Sequence, residues 1–82
     1  MSSPNQASQS LDITVWVGKR GPEAVTDELD DQLSSRDSVK VKFLRAARAG
    51  PDTDTETLAT ELADHVGGTV IETRGHTAII DG

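Results

Sequence analysis

The sequence predicts an α/β two-layer sandwich in the order β-α-β-α-β-β, with a four-stranded sheet and both helices on one face. Two patterns support this prediction. In some stretches apolar and polar residues alternate, which is the pattern of a strand. In the stretches between them apolar residues recur every four positions, which is the pattern of a helix. Right-handed crossovers place both helices on the same face, so the other face is expected to be at least partly open.

The first predicted strand begins after Asp12 and ends at Gly18. Its apolar residues alternate with Thr14 and Trp16 and are expected to share the buried face. They are Ile13, Val15 and Val17. Trp16 is therefore expected on the open face of the sheet, where it either stacks on a base or packs beneath the N-terminal segment.

The first predicted helix begins at Pro22, because the missing N–H of proline costs nothing in the first turn. Glu23 lies near its N-terminus, where a negative charge complements the helix dipole. One apolar stripe follows at four-residue spacing and consists of Val25, Leu29 and Leu33. Residues 34–37 have the composition of the turn that ends the helix.

A second strand is predicted over residues 39–43, where Lys40 and Lys42 alternate with apolar residues and form a charged face. Residues 46–54 are expected to form a loop around Gly50 and Pro51. The second helix should follow, because Thr53 and Glu56 have the spacing of a capping box. Its apolar stripe consists of Leu58, Leu62 and Val66, helped by Ala59 and Ala63.

The last predicted feature is a hairpin. Gly67 and Gly68 stop the second helix, since glycine takes the left-handed conformation without penalty. Residues 69–73 and 77–80 have the pattern of two short strands, and residues 74–76 fit the turn between them.

Length and composition limit the class of protein. Eighty-two residues suffice for one small domain, expected at residues 11–82 behind a disordered polar tail at 1–10. There is no run of about 18 apolar residues, and the N-terminus lacks the features of a secretory signal. Without cysteine there is neither a disulfide framework nor a thiolate zinc site. We therefore expect a cytoplasmic protein with no membrane partner.

The charge balance is acidic. The chain has 14 Asp and Glu against 8 Lys and Arg, which gives a formal net charge of −6. A solvated acidic surface is one interpretation. The combination of abundant aspartate with scarce lysine favours another, adaptation to a salt-rich cytoplasm in which net charge maintains solubility.

The sequence shows no catalytic constellation. Its two histidines, His65 and His76, have no serine or threonine placed beside them by a recognisable motif. The acids at residues 52–56 lack the spacing of a calcium loop and are better explained by a helix N-terminus. We expect a protein that is not an enzyme and that needs no cofactor or metal.

The most informative stretch is G-K-R-G at residues 18–21, between a strand and a helix. Such a loop can bring backbone N–H groups and a helix N-terminus close to a phosphate, with two cations at its tip. KH domains clamp a nucleic-acid backbone with a G-x-x-G loop. The alternative is that the glycines only satisfy turn geometry and that Lys19 and Arg20 are solvated.

The remaining cations extend this hypothesis. Lys40 and Lys42 share a strand face, and Arg45 and Arg48 follow in the adjoining loop, whereas the helices hold most of the acids. A merely solvated strand face remains the alternative for the lysines. The complete predicted RNA-contacting set is Gly18, Lys19, Arg20, Gly21, Lys40, Lys42, Arg45, Arg48 and Arg74.

Taken in order, these stretches resemble the YhbY-like, or CRM (chloroplast RNA splicing and ribosome maturation), family. The matching features are V-W-V-G-K-R-G at 15–21, the following amphipathic helix, V-K-V-K-F at 39–43, H-V-G-G at 65–68 and the hairpin with Gly75. The resemblance covers residues 11–80, and the composition suggests a haloarchaeal member.

The resemblance implies a fold related to the C-terminal domain of translation initiation factor three, with a mixed four-stranded sheet. It also implies binding of structured RNA or of pre-ribosomal particles of the large subunit, through Gly18, Lys19 and Gly21 and the basic second strand. The chain departs from the family pattern in its short polar N-terminus, in His76 where Lys or Arg is usual, and in its ending at residues 80–82.

The leading prediction is thus a small, monomeric, cytoplasmic RNA-binding protein with a role in large-subunit assembly. One alternative is an acidic adaptor that docks on ribosomal or other basic proteins through its helices or open sheet face. Another is an Alba-like nucleic-acid-binding protein, which would share the fold and a similar loop.

Overall fold

The structure, a computed structural model, describes residues 11–51 and 53–82. The predicted tail at residues 1–10 lies outside the described residues. The strands are β1 Ile13–Val17, β2 Ser38–Phe43, β3 Thr69–Arg74 and β4 Thr77–Asp81. The helices are α1 Thr26–Leu33 and α2 Thr55–Val66, with short 3-10 helices at Pro22–Val25 and Arg45–Arg48. Over this part of the chain no helix combines the length and the apolar character that a bilayer crossing demands.

The four strands form one mixed sheet in the order β1-β2-β4-β3. β1 and β2 run parallel, while β4 is antiparallel to both of its neighbours. Both α-helices pack on the same face of this sheet, so the predicted fold class and topology are confirmed.

The core lies between the sheet and the two helices. β2 shows the expected alternation, with Val39, Val41 and Phe43 buried and the residues between them half-buried. The other buried core residues are Val15, Val17, Leu29, Ala47, Leu58, Ala59, Leu62, Ala63, Ala78 and Ile80. Burial of these aliphatic side chains is the main force that holds the two layers together.

A bulge in β1 corrects one expectation. Ile13 was predicted to share the buried face with Val15 and Val17, but the register shifts between Ile13 and Val15. Ile13 pairs with Lys40, whose side chain lies on the face opposite the helices. The Ile13 side chain is only half-buried. The extra residue is Thr14, which turns toward α1 and exchanges hydrogen bonds with Gln32. A bulge sets two residues opposite one and so changes the face that the chain presents.

The helix ends differ in detail from the prediction. Pro22 does start the first helical segment, but that segment is a 3-10 turn, and the α-helix proper begins at Thr26. α2 is capped by Asp54 rather than by the predicted Thr53, because the Asp54 carboxylate accepts the Thr57 N–H at 3.2 Å. Gly67 ends α2 with φ 67°, the left-handed conformation expected there.

The core makes a first prediction. Leu62 is fully buried, so Leu62→Ala should lower the free energy of unfolding by about 2–5 kcal/mol, through lost burial and the cavity left behind. Urea denaturation followed by circular dichroism measures the change. Ile71→Ala, at a side chain that is 56% exposed, is the matched control and should shift the unfolding free energy little. Equal effects of the two substitutions would contradict the described core.

Candidate nucleic-acid interface

The parallel pairing of β1 and β2 decides where the predicted site residues meet. Parallel neighbours finish at the same end of a sheet, so the segments after Val17 and Phe43 leave side by side. β4 begins at this end too, because Thr77 pairs with Lys42, and the hairpin turn before it lies there as well. Three loops therefore converge at one end of the sheet.

Two backbone hydrogen bonds connect these loops. The Leu44 N–H donates to the Val17 carbonyl at 2.8 Å, which ties the segment after β2 to the end of β1. The Phe43 N–H donates to the His76 carbonyl at 2.8 Å, which ties the hairpin turn to the end of β2. Backbone hydrogen bonds thus connect the three loops to one another.

The G-K-R-G loop is a tight turn. The Gly21 N–H donates to the Gly18 carbonyl at 3.0 Å, so Lys19 and Arg20 are the two central residues and both are exposed. The Gly21 N–H is thus used within the turn, and Pro22 has no N–H to offer a phosphate. The adjoining helical segment is a four-residue 3-10 turn. Contact between this loop and a phosphate stays a prediction, in which Lys19 and Arg20 supply the positive charge.

The two glycines of the loop have different roles. Gly21 has φ 80° and ψ −179°, a backbone region that only glycine occupies comfortably. Gly18 is not in the left-handed region, and a methyl group there would meet Leu44 Cδ1 at 3.9 Å, an ordinary contact. The turn therefore requires glycine at its last position and tolerates a side chain at its first.

The segment after β2 is a 3-10 helix, where a loop was predicted. Ala47 is buried in the core and anchors it, while Arg45 is exposed and Arg48 is half-buried. The Arg48 Nε–H donates to the Phe43 carbonyl at 3.0 Å. This bond holds the Arg48 side chain against the end of β2 and orders the arginine before any ligand arrives.

The pairing register places a further set of side chains in one row across the open face of the sheet. Trp16 pairs with Lys42, Lys42 with Thr77, and Thr77 with Arg74. Trp16 is 51% exposed, whereas Val15 and Val17 on either side of it are fully buried. The expectation that Trp16 lies on the open face is confirmed.

Six of the eight lysines and arginines thus lie at one end of the sheet, which we call the basic end. They are Lys19, Arg20, Lys42, Arg45, Arg48 and Arg74. Arg36 lies at the opposite end, between α1 and the start of β2. Lys40 lies one row in from the basic end, half-buried and paired with Ile79, so it is the one predicted cation that the structure sets apart from the cluster.

Half of the acidic residues lie in the helical layer. Seven of the 14 acidic residues are exposed on the two α-helices. They are Asp27, Glu28, Asp30, Asp31, Glu56, Glu61 and Asp64. The sheet lies between most of this negative surface and the open face, so the predicted segregation of charge corresponds to the two layers of the fold.

One shallow cleft borders the basic end. It has a volume of about 630 Å³ and lies between the hairpin turn and the start of α2, with Arg48 and His76 on one side and Asp54 and Glu56 on the other. Because two carboxylates line it, an anion would meet repulsion there. The region that suits an anion is the opposite side of the basic end, toward the G-K-R-G loop and the open face.

Among the described residues there is no group of three His, Cys, Asp or Glu placed to hold a metal ion.

The pKa of Asp54 is lowered below its ordinary value of 3.8, first by the hydroxyl of Thr57 and then by its backbone N–H. Both groups donate to the ionised carboxylate and favour it over the neutral acid. The charge on Asp54 at neutral pH therefore stabilises the start of α2.

Leu44 and the position of Arg48 were missed by sequence reasoning. Leu44 is 38% exposed at the basic end, beside the G-K-R-G loop. The one available signal was the loss of alternation after Phe43, which marks the end of β2 but does not reveal the 3-10 helix that follows. The row that contains Trp16 and Arg74 could be recognised only from the pairing register of the strands, for which the sequence carries no direct signal.

Comparison with known proteins identifies the family. Residues 5–80 match the profile of the CRS1 / YhbY (CRM) domain, which is most of the chain. The chain belongs to this family. The resemblance to the CRM family seen in the sequence is therefore confirmed, and the basic end is part of a CRM domain.

Two known proteins are similar to this CRM-domain chain. A probable RNA-binding protein of Methanocaldococcus jannaschii is 39% identical over 66 residues, which is 80% of this chain and 48% of the relative. The chain thus spans about half the length of that protein. A candidate RNA-binding protein of Staphylococcus aureus, known from a solution structure, superposes with a TM-score of 0.72 over 94% of this chain and 77% of its own. At 22% identity this second match shows a shared fold.

The glycine asymmetry makes a second prediction. Gly21→Ala should destabilise the protein by about 1–3 kcal/mol, because alanine must adopt a backbone conformation that is strained for any side chain. Gly18→Ala should change the free energy of unfolding by less than about 0.5 kcal/mol, since its methyl group has room. Chemical denaturation of both variants measures the difference. A larger loss at Gly18 than at Gly21 would contradict the described turn.

Asp54 makes a third prediction, on pH. Its folded-state pKa is depressed, so its contribution is present above the unfolded value and is lost as the pH falls through the folded value. At pH 7 the wild-type protein should therefore melt at a higher temperature than Asp54→Asn, which keeps an acceptor without the charge. The difference in melting temperature between the two proteins should disappear as the pH falls below 3.8 and the wild-type carboxylate becomes neutral. A gap that stays constant over this range would contradict the assignment.

Proposed function

We propose that this CRM-domain protein binds RNA without acting on it chemically, and that it contacts backbone phosphates through the basic end. The observation that carries the proposal is the concentration of six of eight cations at one end of the sheet, in a chain of net charge −6. Family membership and the names of the M. jannaschii and S. aureus proteins support the same class of ligand.

The salt concentration sets the range over which the attraction between the basic end and RNA acts. At about 0.15 M salt the screening length is about 8 Å, and at 1 M it is about 3 Å. The acids on the helical layer are then screened from an RNA that lies on the basic end. The same screening removes long-range attraction, so binding depends on short contacts. Arginines suit such contacts, because their planar guanidinium groups can donate two hydrogen bonds to one phosphate.

Charge reversal with a matched control tests the proposal. Lys19→Glu and Arg20→Glu should each weaken binding of a structured RNA by about tenfold and lower the slope of log K against log salt by about one. Arg36→Glu makes the same change of charge at an exposed residue on the opposite end and should leave affinity within about twofold. Fluorescence anisotropy of a labelled RNA hairpin, titrated at several salt concentrations, measures both quantities.

The outcome of that comparison is decisive. Equal weakening by all three variants would mean that only net charge matters, and the basic end would have no special role. Unchanged affinity in Lys19→Glu and Arg20→Glu, with retained binding, would exclude the loop as the contact.

We propose that the physiological target is structured RNA of the large ribosomal subunit precursor. The proposal rests on the target that the family resemblance implies. Crosslinking in cells, followed by sequencing of the recovered RNA, tests this directly. Recovery of large-subunit precursor RNA with the wild-type chain, and its loss with Arg20→Glu, is the expected result. Recovery of unrelated RNA would overturn the target while leaving RNA binding intact.

The acidic adaptor remains a second candidate, because seven exposed acids lie on the two helices. Asp30→Lys combined with Asp31→Lys should abolish binding to a basic ribosomal protein if the helices are the docking surface, and should leave RNA binding intact.

An Alba-like activity would instead give double-stranded DNA an affinity equal to that of RNA. Titrations with DNA and RNA duplexes of the same sequence distinguish the two.

A further inference from the structure

The open face of the sheet carries one exposed aromatic side chain in the same row as two cations. Trp16 is 51% exposed and projects from the face that the helices leave uncovered. Its cross-strand neighbour is Lys42, and the same row continues through Thr77 to Arg74. Neighbouring strands lie about 4.8 Å apart, so the row spans about 14 Å from Trp16 to Arg74.

The composition of this row matches the chemistry of an unpaired nucleotide. An indole ring offers a flat apolar surface on which a base can stack, and every base has a face suited to this contact. Lys42 and Arg74 supply positive charge on the same face for the adjoining phosphates. Thr77, between them, is small enough to leave the row open. Four-stranded sheets that stack bases on exposed aromatic residues are an established way of holding single-stranded RNA.

The neighbouring row confines the site to the basic end. One row inward, Ile79 lies between Lys40 and Glu72, and it is buried to 6% exposure although it faces away from the core. The Glu72 carboxylate is exposed there and would repel a phosphate. A nucleotide is therefore favoured on the outer row, where Trp16 lies, over the middle of the sheet.

The outer row is also continuous with the G-K-R-G loop. Trp16 is followed by Val17 and then by Gly18, so the indole lies two residues before the turn that carries Lys19 and Arg20. An RNA strand whose phosphates lie against those cations is therefore within reach of the indole.

We propose that Trp16, with Lys42 and Arg74, forms a stacking site for an unpaired nucleotide of the bound RNA. This inference rests on the proposed RNA-binding function and specifies the form of the ligand: RNA that presents at least one unpaired base next to the phosphates held by the loop. A fully paired blunt-ended duplex offers no such base and engages only the cations.

The chain contains its own probe, because Trp16 is its one tryptophan and it has no tyrosine. Titration of the protein with a short oligouridylate should quench the Trp16 fluorescence as the base stacks on the indole. A blunt-ended RNA duplex that binds with comparable anisotropy change should leave the fluorescence nearly unchanged. This measurement needs no variant and so does not depend on the folding of a mutant.

Substitution supplies the second arm. Trp16→Ala should weaken oligouridylate binding by about tenfold, while Trp16→Phe keeps a stacking surface and should recover most of the loss. Binding of the blunt duplex should change by less than twofold in both. Ile71→Ala, at a 56% exposed residue of β3 outside the row, is the matched control and should leave both affinities unchanged. Far-UV circular dichroism melting verifies that each variant is folded.

The outcomes separate this inference from the function beneath it. Absence of quenching, together with unchanged oligouridylate affinity in Trp16→Ala, would overturn the stacking site while Lys19→Glu and Arg20→Glu still weaken binding. Poor quenching of Trp16 by acrylamide in the free protein would show that another part of the chain covers it, which also overturns the site. Failure of every RNA to bind would instead overturn the proposed function.

Discussion

The arrangement of this protein depends on the parallel pairing of its first two strands. Because β1 and β2 finish at the same end of the sheet, the segments that follow them leave together. Two backbone hydrogen bonds, from Leu44 to Val17 and from Phe43 to His76, then fix the positions of the loops that carry the cations. An antiparallel pairing would send the segment after β2 to the far end of the sheet, where Arg36 lies. The cations converge because of the order and direction of the strands, and their positions along the sequence alone would not bring them together.

The two layers of the fold allow one small chain to carry opposite charges on separate surfaces. The helices present acids to solvent, and one end of the sheet presents cations. The apolar core between the layers, built mainly of valine, leucine, isoleucine and alanine, keeps these surfaces apart. A protein with abundant negative charge can in this way remain soluble and still offer a local positive surface to a polyanion.

The element order, the strand faces other than at Ile13, and the end of α2 could be predicted from the sequence, because each depends on local periodicity or on one residue type. The alternation in V-K-V-K-F placed Lys40 and Lys42 on one face correctly. What could not be predicted depends on geometry between distant segments. The bulge at Thr14 is accompanied by two hydrogen bonds with Gln32 of α1, which accepts from the Thr14 hydroxyl and donates to the Thr14 carbonyl. The register that sets Trp16 beside Lys42 and Arg74 beside Thr77 is a property of the assembled sheet. The cap of α2 was missed by one residue, because Thr53 and Asp54 are both suitable caps in isolation.

Both outermost strands of the sheet carry an irregularity: β1 between Ile13 and Val15, and β3 between Val70 and Glu72. An outer strand with an even ladder is a template on which the strand of another molecule can add, and a bulge interrupts that ladder. This sheet is therefore poorly suited to lateral growth. At high salt, where charge repulsion between acidic molecules is screened, that geometric protection against self-association remains, because it does not rely on charge.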